Sequence, residues 1–406
     1  MTEVDEGGLR PQRAEFVRET AYGEVPTDPA WERFSDAPQT VTLMPDANTE
    51  RQDELGNPRA AGFFANSETH ELEVVYHLQR WLADGSGDPV DAAADGILRD
   101  ADNAVKNSHS ALFREEHTND AGTASSGRRI YYVCKGGKID EVDIPFVTDR
   151  SLPIETTLTY NFQKIRGYSI SQPSASTTLD VESTDSSDTS QTLTIENEDA
   201  GTTEDVSLDG TTTQTTTGSF SDIDAAELDA ETTGNVLIKD GSGNTLLTIY
   251  GQDAYEHGEG DLGVPALGAG SHASAIGSSY EVFSGDTLQA TTGSLGGTGA
   301  RIISGGLTVS NNLDNDAQES TPQRYWYAQA QDIELGAEVA GPVANIETIR
   351  QQLQSVAFDV EWVADGGSIT MTGGKNMDPG DVAKEVNAAR DTMDSTYEFA
   401  GISLSA

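Results

Sequence analysis

Apolar side chains in this chain recur at every second position, in short runs closed off by turn-forming residues. Leu72, Val74, Tyr76 and Leu78 alternate with polar neighbours, as do Leu158, Tyr160 and Phe162, and again Val356, Phe358, Val360 and Trp362. A period of two puts one set of side chains on one face of a strand. A chain made of many such runs has to bury their apolar faces, so the expected class is mainly β.

Composition divides the 406 residues into three blocks, 1–166, 167–285 and 286–406. In the first, Ala83 to Pro89 breaks the run that ends at Leu78, and the Ala- and Asp-rich stretch from Val90 to Val105 predicts a short helix, weakened by Gly96. Two β-rich runs flank Gly136-Gly137, and glycine's access to positive φ predicts a tight hairpin between them. The second block has one basic residue, Lys239, against 22 Asp and Glu between Gly167 and Ala300, and Ser and Thr fill 23 of the 50 positions from Pro173 to Asp222. Leu193/Ile195, Val206/Leu208, Val236/Ile238 and Leu247/Ile249 nevertheless keep period two, with turn residues between them. Short strands at such spacing predict an inserted, immunoglobulin-like β-sandwich, with Gln252 to Ser279 as the return linker. In the third block Tyr325-Trp326-Tyr327 reads as a strand and Gly366-Gly367 as a hairpin return. Asp378-Pro379 predicts a helix start carrying Val382, Val386, Ala389 and Met393 on one face. Tyr397, Phe399, Ile402 and Leu404 predict a terminal strand.

The charge balance is 24 Lys and Arg against 68 Asp and Glu, a formal net charge of −44. The acids are interspersed with apolar periodicity and aromatic residues, which predicts a folded, heavily carboxylated surface of the kind that salt-accumulating archaea use. At molar salt the Debye length is about 3 Å, short enough to screen the self-repulsion. Such a surface disfavours nucleic acid and anionic membrane as bound partners, and no basic cluster exceeds Arg128-Arg129. A lone cysteine, Cys134, forms no intrachain disulfide and reads as a buried small residue. Met1 to Glu6 has no secretory pattern, no run of 18 apolar residues occurs, and no Asn-x-Ser/Thr sequon is present, so the chain is expected to stay inside the cell until something carries it out.

Four stretches, in order, carry a family resemblance. Ala14 to Trp31 resembles the entry segment of tail tube proteins of tailed viruses. Leu72 to Arg80 with Asp84-Gly85-Ser86-Gly87 is similar to the strand and loop that follow there. Gly137 to Val142 resembles the central hairpin strand, and Thr298 to Leu313 the later strand with its Asn-Asn-Leu end. The Thr-rich insertion resembles immunoglobulin-like modules of virion proteins. The resemblance implies a tail-tube β-barrel or sandwich with a flanking helix, interrupted by the immunoglobulin-like β-sandwich: a structural, non-enzymatic subunit of a virus tail, assembled in the host cytoplasm. Its partners would be copies of itself, in rings (usually hexameric) stacked into a hollow tube, other tail components, and viral DNA passing through the lumen without specific binding. The inserted domain would decorate the exterior, because a domain of that bulk does not fit a lumen shared with a duplex. Rival readings are a cell-surface adhesin or S-layer-like protein of a halophile, and a hydrolase using a carboxylate pair.

No motif supplies chemistry for the hydrolase. The six histidines form no His-x-x-x-His or Cys/His cluster, no EF-hand pattern is present, and neither a Gly-x-Ser-x-Gly elbow nor a P-loop occurs. Gly293 to Gly299 lacks the Lys-Ser/Thr of a phosphate loop and reads as an interface loop. Catalytic, cofactor and metal residues are therefore expected to be none. The candidate functional residues are subunit contacts: Trp31 and Phe34 as aromatic anchors of an N-terminal arm, and Arg114, Arg128 and Arg129 at the ends of a polar loop. The arm and loop reading as cover for their own barrel is the alternative.

Overall fold

Period-two alternation becomes strand pairing along most of the chain. The computed structural model describes residues 13–26, 29–36, 40–53, 60–99, 107–117, 128–146, 152–197, 201–254, 260–265, 276, 279–292, 301–317, 324–342, 357–378, 382–383 and 390–406. The first part holds β1 (Arg13–Arg18), β2 (Glu32–Arg33), β3 (Thr40–Asp53), β4 (Ala60–His77), helix α1 (Ala92–Ile97), β5 (His109–His117), β6 (Arg128–Phe146), β7 (Glu155–Phe162) and β8 (Lys164–Ser171). All their pairings are antiparallel.

β6 belongs to two sheets. Its N-terminal half lies between β5 and β8, in the order β2-β1-β5-β6-β8, whereas its C-terminal half pairs with β7. The hairpin expected at Gly136-Gly137 does not form, because β6 runs straight through it. Gly136 takes φ +64°, and the register slips opposite His109/Ala111 on one side and between Ile139 and Glu141 on the other. The glycines are a bulge that bends the strand out of one sheet and into the next. They are also required by space, since a Cβ on Gly137 would lie 2.2 Å from the Phe162 ring.

The middle segment forms β9 (Leu179–Ser183), β10 (Thr192–Asn197), β11 (Thr202–Ser207), β12 (Gln214–Thr215), β13 (Ala225–Leu228), β14 (Val236–Asp240), β15 (Thr245–Ile249), a 3-10 turn (Gln252–Ala254) and β16 (Gly263–Val264). These strands make two four-stranded sheets of their own, β11-β10-β13-β16 and β12-β9-β14-β15. Leu193, Ile195, Val236, Ile238, Leu247 and Ile249 fill the space between them. The edges of this unit differ from the sequence expectation. β8 crosses position 166 because Tyr168 and Ile170 are buried partners, and the expected return linker contributes Val264 to a sheet.

The last part holds β17 (Phe283–Thr292), β18 (Arg301–Ser310), β19 (Leu313–Ala317), β20 (Arg324–Ala328), β21 (Asp332–Pro342), β22 (Phe358–Ala364), β23 (Gly367–Asp378), β24 (Val382–Ala383), β25 (Arg390–Phe399) and β26 (Gly401–Ser405). β18 joins the free side of β6, and β21 and β25 extend the sheet to β23, β22 and β17. The helix expected from Asp378 is not found among the described residues. Val382 lies opposite Met393 in the β24–β25 pairing, so pairing to a neighbouring strand overrides the helical spacing. Val386 and Ala389 fall outside the described residues, as does the Gly293–Gly299 loop.

The layers are ordered by which side of β2-β1-β5-β6-β8 a residue occupies. On one side Ala14, Phe16, Ala111, Phe113 and Cys134 meet Leu72, Tyr76, Leu158, Tyr160 and Leu335 of the long sheet. On the other side Val17, Leu112, Tyr131, Val133, Tyr168 and Ile170 meet the apolar residues of the middle segment. The expected burial of Cys134 is found, and burial pushes its thiol pKa up. Gly137→Ala is expected to destabilise the protein by about 1–3 kcal/mol through overpacking at Phe162. A denaturant melt followed by circular dichroism checks this, and an unchanged midpoint would contradict the bend.

Candidate functional site: a carboxylate-faced sheet and a buried polar network

The sheet that runs from β4 through β7, β6, β18 and β21 to β25 buries one face only. Leu72, Val74, Leu158, Val142, Leu307, Leu335 and Tyr397 point inward. Their alternating neighbours form rows on the open face. One row is Glu73, Thr159, Glu141, Ser310 and Asp332; the next is Val75, Thr157, Asp143, Thr308, Glu334, Glu398 and Lys375. Carboxylates mostly alternate with hydroxyls, which donate to them: Thr308 Oγ1 to Asp143 at 3.0 Å and Ser310 Oγ to Glu141 at 3.2 Å. This face repels phosphate, since Lys375 is the single cation in these two rows.

Beneath it lies a polar network that orients α1. Asp91 caps the helix, accepting from Ala93 N at 3.0 Å, and also accepts a short hydrogen bond from the Tyr76 hydroxyl. Asp95 accepts from Arg18 Nε at 2.7 Å and from Asn107, and lies 3.0 Å from His109 Nε2. His109 Nδ1 is 2.9 Å from the Tyr160 hydroxyl, so the tautomer that satisfies all three groups has Nε2–H donating to Asp95 and Tyr160 O–H donating to Nδ1. Glu32 bridges Arg18 at 3.1 Å and Arg80 at 2.8 Å. Asp91, Asp95, His109, Tyr76 and Tyr160 are all fully buried, and Arg18, Glu32 and Arg80 form the partly exposed edge of the network, which braces the helix against β1, β2, β4, β5 and β7.

The two helix carboxylates titrate in opposite directions. Burial pushes Asp91 up, and the Arg80 guanidinium, the Tyr76 hydroxyl and the Ala93 N–H offset this in part. Burial also opposes ionisation of Asp95, but the hydrogen bond from His109, the Arg18 guanidinium and the hydrogen bond from Asn107 hold it below the usual carboxylate range. Neither carboxylate was singled out from the sequence. The available signals were two acids four residues apart on a short Ala-rich helix, and a histidine in phase with Ala111 and Phe113 on the inward face of β5.

The candidate contact residues are placed as follows. Phe34 is fully buried at the centre of an aromatic cluster, 4.8 Å from Phe16, 5.7 Å from Tyr76 and 6.2 Å from Phe113 between ring centroids. Trp31 is buried with Val17 and Leu112 in the core shared with the middle segment. Arg129 donates to Asp224 at 2.5 Å and lies 3.6 Å from Asp222, and Arg114 lies 3.5 Å from Asp224. Arg128 pairs through its backbone with β5 and β8. These residues serve contacts within the chain, and the two arginines clamp the middle segment. A matching clamp holds Asp261 between Lys164 at 3.2 Å and Arg166 at 3.3 Å. Lys135 sits directly opposite Lys164, and burial lowers its pKa against the pull of Glu227. Tyr131, in the same joint, is pushed up to about 12 by burial and by Asp224. Among the described residues no group of three or more His, Cys, Asp or Glu is placed to hold a metal ion, and no helix is long and apolar enough to cross a membrane.

Asp95→Asn is expected to cost about 3–5 kcal/mol, because Arg18 loses its buried counter-charge and the carboxylate that organises Asn107 and His109 is gone. Asp91→Asn is expected to cost under about 1 kcal/mol, because Asn caps a helix as well as Asp and burial already disfavours the ionised form. The signs also differ with pH. The stability Asp95 contributes is present above its unfolded pKa and is lost as pH falls through its lowered folded value. Asp91 binds its proton more readily in the folded state, so its contribution falls as pH rises from the unfolded value through the raised folded one. Urea melts of both variants between pH 3 and pH 7 check the order and both slopes.

No protein-family profile matches the chain, and no curated protein sequence matches it.

Proposed function

We propose that this chain is a non-enzymatic structural protein, the tail tube subunit of a tailed virus of a halophilic archaeon. Its copies form rings, by the family resemblance hexameric, that stack into a hollow tube through which viral DNA passes. The observation that carries this is the order of layers. The carboxylate face of the long sheet lies on one side of the chain's core, and the Thr-rich middle segment is fastened to the far side of β2-β1-β5-β6-β8. A wall that lets a duplex slide has to repel phosphates, and a bulky unit has to stay outside the lumen. One chain meets both demands by facing its acids inward and its middle segment, read as an immunoglobulin-like module, outward.

A second feature fits the same assembly. β3 and β4 continue beyond the last pairing with β7 at His70, and from there to Asp53 and Ala60 the described strands pair only with each other. Ten residues of this ribbon extend about 30 Å. A two-stranded ribbon is marginally stable alone in water, so a neighbouring subunit is the surface it needs. Electron microscopy of the purified protein in molar salt, before and after concentration, tests the proposal. The expected result is uniform rings or tubes with an axial repeat and the Glu141–Glu334 face on the lumen. Monodisperse monomers under every condition would overturn it.

A further inference from the structure

Two contacts in this fold differ in how charge is arranged across them. At the joint with the middle segment opposite charges meet: Arg114 and Arg129 hold Asp224, Lys164 and Arg166 hold Asp261, and both aspartate side chains are only 3% exposed. Between β21 and β25 like charges face each other, with Glu334 directly opposite Glu398. Glu334 and Glu398 are exposed, and Lys375 is the register partner of Glu398 on its other side. What closes this seam is its other face, where Ile333, Leu335, Met393, Tyr397 and Phe399 are buried.

Directly opposed like charges on neighbouring strands stand about 5 Å apart and destabilise the pair. The Debye length is about 3 Å at 1 M salt and about 10 Å at 0.1 M, so the repulsion is screened in the first case and felt in the second. Partly buried pairs of opposite charge are screened far less. We propose that the β21–β25 seam is a salt-operated latch: it closes as ionic strength rises, while the joint between β5-β6-β8 and the middle segment stays shut throughout. Because β25 also pairs with β23 and β24, release of the seam loosens the C-terminal strands from the rest of the long sheet. The latch follows from the strand register alone and holds whatever the chain assembles into.

Hydrogen exchange of the intact chain, read by mass spectrometry at KCl steps from about 3 M down to about 0.1 M, tests this. Peptides from β21 and β25 are expected to lose about tenfold protection at salt concentrations where peptides from β8 and β13 are unchanged. Glu334→Gln removes one of the opposed charges and is expected to move that loss to lower salt. Asp253→Asn, the same charge change on the distant 3-10 turn, is expected to leave it in place. Simultaneous loss of protection in both regions, or equal shifts from the two variants, would overturn the latch and make net charge the governing quantity.

Discussion

The rest of the structure depends on a sheet that is apolar on both faces. In β1, Ala14 and Phe16 point to one core and Val17 to the other. In β5, Ala111 and Phe113 oppose Leu112 in the same way, and in β6 Cys134 opposes Tyr131 and Val133. A strand buried on both sides reads as a nearly continuous apolar run and needs a layer above and a layer below. The long sheet supplies one layer and the middle segment the other. The middle segment is thus part of what keeps β2-β1-β5-β6-β8 out of water, and the chain folds as three layers.

Electrostatics reinforces that stack. A chain with only 24 Lys and Arg places Arg114, Arg129, Lys135, Lys164 and Arg166 on adjoining strands, with Lys135 directly opposite Lys164. Such an array is unfavourable until acids cover it, and Asp222, Asp224, Glu227 and Asp261 of the middle segment do so. These cations are thus concentrated where an acidic unit docks, and carboxylates and hydroxyls predominate in the two rows on the open face of the long sheet. Removing one partner from a buried clamp costs more than the clamp contributes net, because the remaining charge stays desolvated.

Much of this was legible in the alternation. Leu72 to Leu78, Leu158 to Phe162 and the four paired positions of the middle segment are strands with the expected faces buried, because a strict period of two admits one solution once a face is covered. Two local signals misled. Gly136-Gly137 has the chemistry of a turn, but its flanking runs pair with different partners, so the same flexibility makes a bend between sheets. Asp378-Pro379 has the chemistry of a helix start, yet Val382 and Met393 meet across strands. What no single run could show is register. The rows of acids, the opposed Glu334 and Glu398, and the meeting of His109 with Asp95 exist only once strands distant in sequence are set side by side. Trp31 and Phe34, read from the sequence as subunit-contact anchors, are buried in the chain's own cores.

The dependence of the shared sheet on both of its layers is tested most directly by differential scanning calorimetry of the intact chain in molar salt. Three layers joined through one doubly buried sheet should melt in a single transition, with equal calorimetric and van't Hoff enthalpies. Two resolved transitions, the middle segment melting apart from the rest, would contradict the account.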